Sequence, residues 1–157
     1  KVEEGLTRTA ALLTDPSITA LYEGFIAFDD AVVRPDILVR TRGNRWRLIE
    51  VKSTSRVKDE HLHDLAIQAY VLTGAGLFLD TACLMHLNTG YLYPGGPLDL
   101  QQLFQEDELT HQVADFIQGL SSKKPAAPTF RDALVTQYIC DAVLKSAKTG
   151  KWVDIEG

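Results

Sequence analysis

The stretch RPDILVRTRGNRWRLIEVKS, residues 34–53, decides how this chain folds. Val32 to Arg40 reads as an extended, largely apolar strand, Thr41-Arg42-Gly43-Asn44 as a hairpin turn, and Arg45 to Ser53 as the returning strand. Glu50 and Lys52 stand two apart on that strand and therefore share a face, while Val51 points the opposite way, into the expected core. The hairpin brings Asp36 beside Glu50. Two carboxylates at that separation repel, and one takes up a proton unless a cation lies between them. A hard divalent ion such as Mg²⁺ accepts such oxygen ligands and keeps several waters. The carbonyl of Val51 is a further candidate metal ligand.

Upstream, Val2 to Thr14 carries Leu6, Ala10 and Leu13 on one helical face, and Asp15-Pro16-Ser17 ends it. Ile18 to Phe28 reads as a strand, turned by Asp29-Asp30 into the next. Downstream, Lys58 to Thr73 changes to helical period, with Leu62, Leu65, Ala66, Ala69 and Leu72 on one face and Gly74-Ala75-Gly76 closing it. Thr81 to Leu87 is an apolar strand, and Tyr91-Leu92-Tyr93 is expected to pair with it. Pro94-Gly95-Gly96-Pro97 is a firm break. A helix is expected from Glu108 to Leu120, a linker over 121–128, a helix from Arg131 to Ala147 and a short strand from Lys151 to Ile155. This order predicts an α/β fold, a mixed sheet with helices packed on it. The expected organisation is a first domain over residues 1–120, then a linker with a closing helix and strand over 121–157.

At 157 residues, 45% hydrophobic and 24% charged, the chain can bury a real core and belongs to neither the disordered nor the membrane class. It lacks an apolar run near the roughly 20 residues of a membrane helix and a recognisable secretory leader, so a cytoplasmic protein is expected. A start at Lys1 suggests a processed product or a piece of a larger protein or complex. Cys83 and Cys140 sit in apolar surroundings and are expected to be buried, reduced thiols, too few and too far apart for a zinc site. The net charge is −5, yet residues 34–58 hold eight basic residues against Asp36 and Glu50 alone, a local +6, leaving −11 on the remainder. A polyanion responds to the local field more than to the net charge, so a nucleic-acid partner is expected, with Arg42 and Arg45 as candidate contacts.

Pro35-Asp36, followed on the next strand by Glu50-Val51-Lys52, resembles the PD…(D/E)xK pattern of the restriction-endonuclease-like nucleases. The likeness is nearest to the RecB-like branch, which includes the CRISPR-associated exonucleases, and covers roughly residues 1–120. It implies a restriction-endonuclease-like mixed sheet flanked by helices. It also implies Mg²⁺ or Mn²⁺ held by Asp36 and Glu50, a catalytic Lys52, and DNA (or RNA) as substrate. RecB-like nucleases carry a Gln and, four residues later, a Tyr on the following helix. Gln68 matches, as a candidate contact to phosphate or to the catalytic lysine. The position four later is Leu72, and the nearby tyrosine is Tyr70. Glu3, Glu4 and Glu23 are candidates for the acid many members carry near the first helix. His61 and His63 read as solvent or capping residues. Two cysteines exclude the four-cysteine iron–sulfur cluster of some members.

From about Pro125 onward the chain departs from that pattern. Pro128-Thr129-Phe130-Arg131-Asp132 and Ser146-Ala147-Lys148-Thr149-Gly150-Lys151-Trp152-Val153 resemble the closing helix and strand of glucose–fructose and inositol-type oxidoreductases. The chain has no Gly-rich nucleotide loop to support a dinucleotide cofactor. Three functional readings result: a metal-dependent nuclease; a catalytically silent module of nuclease fold that binds nucleic acid or a protein partner; and a fragment related to an oxidoreductase C-terminus.

Overall fold

A computed structural model of the chain describes residues 1–122 and 130–155. Helix α1 (Val2–Thr14) ends where Asp15 Oδ1 accepts hydrogen bonds from the Ser17 N–H (2.9 Å) and hydroxyl (2.7 Å). The strand expected from Ile18 to Phe28 is two strands, β1 (Ala20–Tyr22) and β2 (Ile26–Phe28). Glu23 breaks it by taking a left-handed φ of 55°. The next expected strand is likewise two, β3 (Ala31–Val33) and β4 (Ile37–Arg40). Here the break is Pro35, which has no N–H to continue a ladder. β2 and β3 form a two-stranded sheet of their own, turned by Asp29 and Asp30, both at positive φ as a tight hairpin requires.

The main sheet has the order β1-β4-β5-β6-β7. β4 pairs antiparallel with β5 (Trp46–Lys52) across the turn at Arg42–Asn44, in the register Ile37↔Ile49. Helix α2 (Asp59–Gly74) then carries the chain over to β6 (Leu79–Leu87), parallel to β5 with Lys52↔His86. A short helix α3 (Leu100–Leu103), capped by Asp99, leads into β7 (Phe104–Glu108), antiparallel to β6. The fold is thus α/β with a mixed five-stranded sheet flanked by helices. The partner expected for β6 was Tyr91-Leu92-Tyr93, but those residues form no strand, and Leu92 and Tyr93 are exposed. β7 takes that place although its sequence is nearly all polar. As an edge strand it needs few apolar side chains.

The core lies between the sheet and α2, where Leu65, Ala66, Ala69 and Leu72 join Leu48, Leu38 and Ala82. Leu48 lies on the face of Glu50, since the two are two residues apart. The core face is therefore the carboxylate's own face, and Val51 is half-buried instead of pointing into the core. Helix α4 (Thr110–Ser122) adds Val113, Phe116 and Ile117 to the cluster.

Two compact units divide the chain, Lys1–Ile117 and Gln118–Gly157. The second holds helix α5 (Phe130–Thr149). The strand expected from Lys151 to Ile155 does not form, which removes half of the oxidoreductase-like closing motif. Residues 123–129, most of the expected linker, lie outside the described residues. Cys83 is buried as expected, but Cys140 is exposed. No helix among the described residues is long and apolar enough to cross a membrane.

Candidate functional site

The break at Pro35 builds the site. Thr41 N–H donates to Arg45 C=O, and the ladder steps from there through Val39↔Arg47 to Ile37↔Ile49. One step further, the same register sets Pro35 opposite Val51. Pro35 has no N–H to give the Val51 carbonyl, and its own carbonyl accepts from Glu23 N–H at 3.1 Å. The Val51 N–H turns instead to Asp36, whose Oδ2 accepts it at 2.7 Å. A residue's N–H and C=O leave a strand on the same side, so the Val51 carbonyl faces the same edge. Proline thus withholds a donor from the Val51 carbonyl at the point where it delivers a carboxylate.

Glu50 is buried at 8% exposure, and both its oxygens are engaged. Oε1 accepts from Lys52 Nζ at 3.0 Å, and Oε2 from Gln68 Nε2 at 2.6 Å. Lys52 Nζ also donates to Asp64 Oδ2 at 2.9 Å. Burial disfavours the Lys52 ammonium, but its hydrogen bonds to Asp64 and Glu50 outweigh that and hold its pKa above the ordinary lysine value. Since Glu50 needs a donor, the Gln68 amide nitrogen must face it, which leaves Gln68 Oε1 buried without a hydrogen-bond partner. A pocket of about 280 Å³ opens here, lined by Val33, Arg34, Glu50, Asp64, Ile67 and Gln68.

Among the described residues, no three His, Cys, Asp or Glu side chains converge as a ready-made metal cage. Mg²⁺ does not need one, because it is commonly held by one or two carboxylates together with waters. Asp36, Glu50 and the Val51 carbonyl are hard oxygen donors that suit it and Mn²⁺. The orphaned Gln68 Oε1 is an acceptor awaiting such a hydrated ion or a water.

The structure joins Asp36 to Val51, and Lys52 and Gln68 to the adjacent Glu50. It does not bring Tyr70 to them. Tyr70 lies two residues past Gln68, on another side of α2, where its hydroxyl donates to Asp29 at 3.0 Å and its ring meets Phe28 edge-on. Asp29 holds the Tyr70 phenol above its ordinary pKa. Arg42 and Arg45 sit at the far end of the β4–β5 hairpin. Arg45 is five residues from Glu50, roughly 17 Å along the strand.

The basic window is not an open positive field either. Arg34 pairs with Glu23, Arg45 with Asp80, Arg47 with Glu106, Lys52 with Glu50 and Asp64, and Lys58 with Glu60. Arg40 is spent on backbone carbonyls of Leu13, Asp15 and Ile18 and on the face of Trp46. Apart from Glu50, the acids in these pairs come from elsewhere in the chain, invisible to a local charge count. Of the glutamates proposed near the first helix, Glu3 and Glu4 are exposed and Glu23 serves Arg34. His63 is exposed and packs on Phe116. His61 is buried, with Nδ1 accepting from Lys58 N–H at the start of α2.

Two residues of this region escaped the sequence reading. Asp64 was legible in principle, since it lies four before Gln68 and so shares its helix face. His86 was not, because only the parallel register of β5 and β6 sets it beside Lys52. It is 1% exposed, with Nε2 2.9 Å from Asp107 Oδ2 and Nδ1 3.1 Å from the Leu87 carbonyl.

No protein-family model matches the chain, and no curated protein does. A solved structure described as "Crystal structure of SSO0001" is similar at 13% identity and a TM-score of 0.35. The match covers 79% of this chain and 59% of that one, so the chain spans less than two thirds of its length.

Proposed function

We propose that this chain is a metal-dependent nuclease of the PD-(D/E)XK type, RecB-like branch, hydrolysing phosphodiester bonds of DNA, with RNA the other substrate form to be tested. One observation carries the reading. Asp36 is anchored on the Val51 N–H, between Glu50 and Lys52, beside a proline that has no N–H to offer the Val51 carbonyl. Asp36, Glu50 and that carbonyl would hold Mg²⁺ or Mn²⁺. When bound, the ion supplies a Lewis acid for the scissile phosphate and lowers the pKa of water. The residues' own work is separable from it. Lys52 offers an ammonium, kept protonated by Asp64 and Glu50, to the negative charge that develops on the phosphate. Gln68 orients Glu50 through the 2.6 Å bond. Burial of Glu50 favours a functional role, because a carboxylate costs stability in a core position that an apolar side chain would fill more cheaply.

The second reading is a catalytically silent module that binds nucleic acid or a protein partner. What favours it is the pairing of Lys52 with two carboxylates, together with the absence of a ready-made cage among the described residues. Incubation with linear and circular DNA, single- and double-stranded, and with RNA, each with Mg²⁺, Mn²⁺ or EDTA, separates the two. Metal-dependent cleavage that is lost in both Asp36→Asn and Lys52→Met is expected. Cleavage unaltered by Lys52→Met would assign the activity to another site. No cleavage under any condition would leave the silent module.

A further inference from the structure

Arg34 is the cation among the residues lining the pocket. Its placement is built from three sides. Pro35 follows it, so Arg34 is disfavoured from helical backbone and stays extended beside Asp36. Its guanidinium carbon lies 4.8 Å from the centre of the Phe25 ring. Phe25 is in turn tied to α1: its N–H donates to the hydroxyl of buried Thr9 at 3.0 Å, and its ring packs where a side chain at Gly5 would stand. The third side is Glu23, whose carboxylate pairs with Arg34.

Glu23 is the informative partner. It holds a left-handed φ, a strained conformation for a residue with a side chain, and its N–H is shared between the carbonyls of Pro35 and Asp36. The bend that carries this carboxylate is therefore stitched to the segment that delivers Asp36. Both side chains are about half exposed, 50% and 54%, so the pair is weak and easily exchanged for a better anion. Phosphate is that anion: it takes two parallel N–H bonds from a guanidinium and carries charge that Arg34 can meet without desolvating a carboxylate. Beside it, Val33 and the half-exposed Ile67 give the pocket an apolar wall suited to a sugar or base.

We infer that Arg34 binds a backbone phosphate of a nucleic-acid strand at the lip of this pocket, and that Glu23 is the resting partner the phosphate displaces. This rests on the nucleic-acid reading above but not on catalysis. The guanidinium, ring-stacked and pre-aimed, loses little freedom on binding, and Glu23 sets how readily it is released.

The test uses the full chain and a short fluorescein-labelled oligothymidylate. Binding is followed by anisotropy in EDTA over a salt series, alongside Mn²⁺-dependent cleavage kinetics. Arg34→Ala is expected to weaken binding about tenfold, the loss of one charged hydrogen-bonding contact. It should also make the salt slope shallower by about 0.7, the share of one phosphate contact on a single strand. Glu23→Gln removes the competitor and is expected to tighten binding a few-fold. Arg34→Lys, a point charge without the fork, should fall between wild type and Arg34→Ala. In cleavage, Arg34→Ala should raise KM and leave kcat unchanged. Should Arg34→Ala perturb the melting transition, Arg34→Lys and Glu23→Gln still give opposite predictions. Wild type that cleaves while Arg34→Ala keeps its affinity and KM would overturn this inference and leave the nuclease reading intact. Binding without cleavage, still weakened by Arg34→Ala, would uphold the inference and refute catalysis. Glu23→Gln weakening binding would overturn the inference, because Glu23 would then be supporting Arg34 in place. If wild type neither binds nor cleaves, both fall.

Discussion

Replacing Lys52 by Met tests the electrostatics of the site without any substrate. In the native chain Glu50 Oε1 is neutralised by Lys52 at 3.0 Å, with the carboxylate side chain only 10% exposed and the lysine 22%. Removing one partner of a fully buried pair costs about 3–5 kcal/mol, because a charge is left behind in low dielectric. Here the cost is lower. Gln68 keeps its 2.6 Å bond to the other oxygen, and the partial exposure of Lys52 lets solvent share the burden. About 2 kcal/mol is expected for Lys52→Met at neutral pH. Glu50→Gln should cost about 1 kcal/mol or less, because Lys52 retains Asp64 at 2.9 Å and the new amide can still accept from it. Urea unfolding, read as midpoints at unchanged slope, gives both numbers. The sign with pH is also determined. The folded pKa of Lys52 lies above its ordinary value of 10.5. The stability it contributes is therefore complete below about 10.5 and is lost as pH rises through the folded value. The gap between wild type and Lys52→Met should be flat through neutral pH and close only in strong alkali. A Glu50→Gln variant less stable than Lys52→Met, or a gap that widens with alkali, would refute this account of the pair.

Metal addition should raise the melting temperature of wild type and not of Asp36→Asn; at a hundredfold excess over Kd the stabilisation is about 2.7 kcal/mol, measurable by calorimetry. Leu48→Ala, at a wholly buried position on β5, should cost about 3 kcal/mol and lower the denaturation midpoint. Tyr70→Phe should leave cleavage and nucleic-acid affinity as in wild type, because its hydroxyl serves Asp29 and not the pocket; a large loss of either would return Tyr70 to the site.

Residues 34–53 by themselves determined the β4–β5 hairpin and the common face of Glu50 and Lys52, and residues 58–73 the helical period that becomes α2, because these follow from period and turn chemistry within a few residues. Gln68 was expected only from the resemblance to RecB-like nucleases, which carry a Gln on the corresponding helix. Other features depended on contacts between distant segments. Phe104–Glu108 became a strand because the edge of β6 needed a partner; its own sequence shows no strand period. The breaks at Glu23 and Pro35 follow from one another's hydrogen bonds, since Glu23 N–H is what satisfies the Pro35 carbonyl. The basic window of +6 was a count of local charges, and it could not show that Asp80 and Glu106 meet Arg45 and Arg47 after folding. Asp36 was expected beside Glu50, but its anchor on the Val51 N–H is a tertiary fact. A side chain's partner is set by which backbone donor is left unpaired, and that depends on the register of strands the local sequence does not contain.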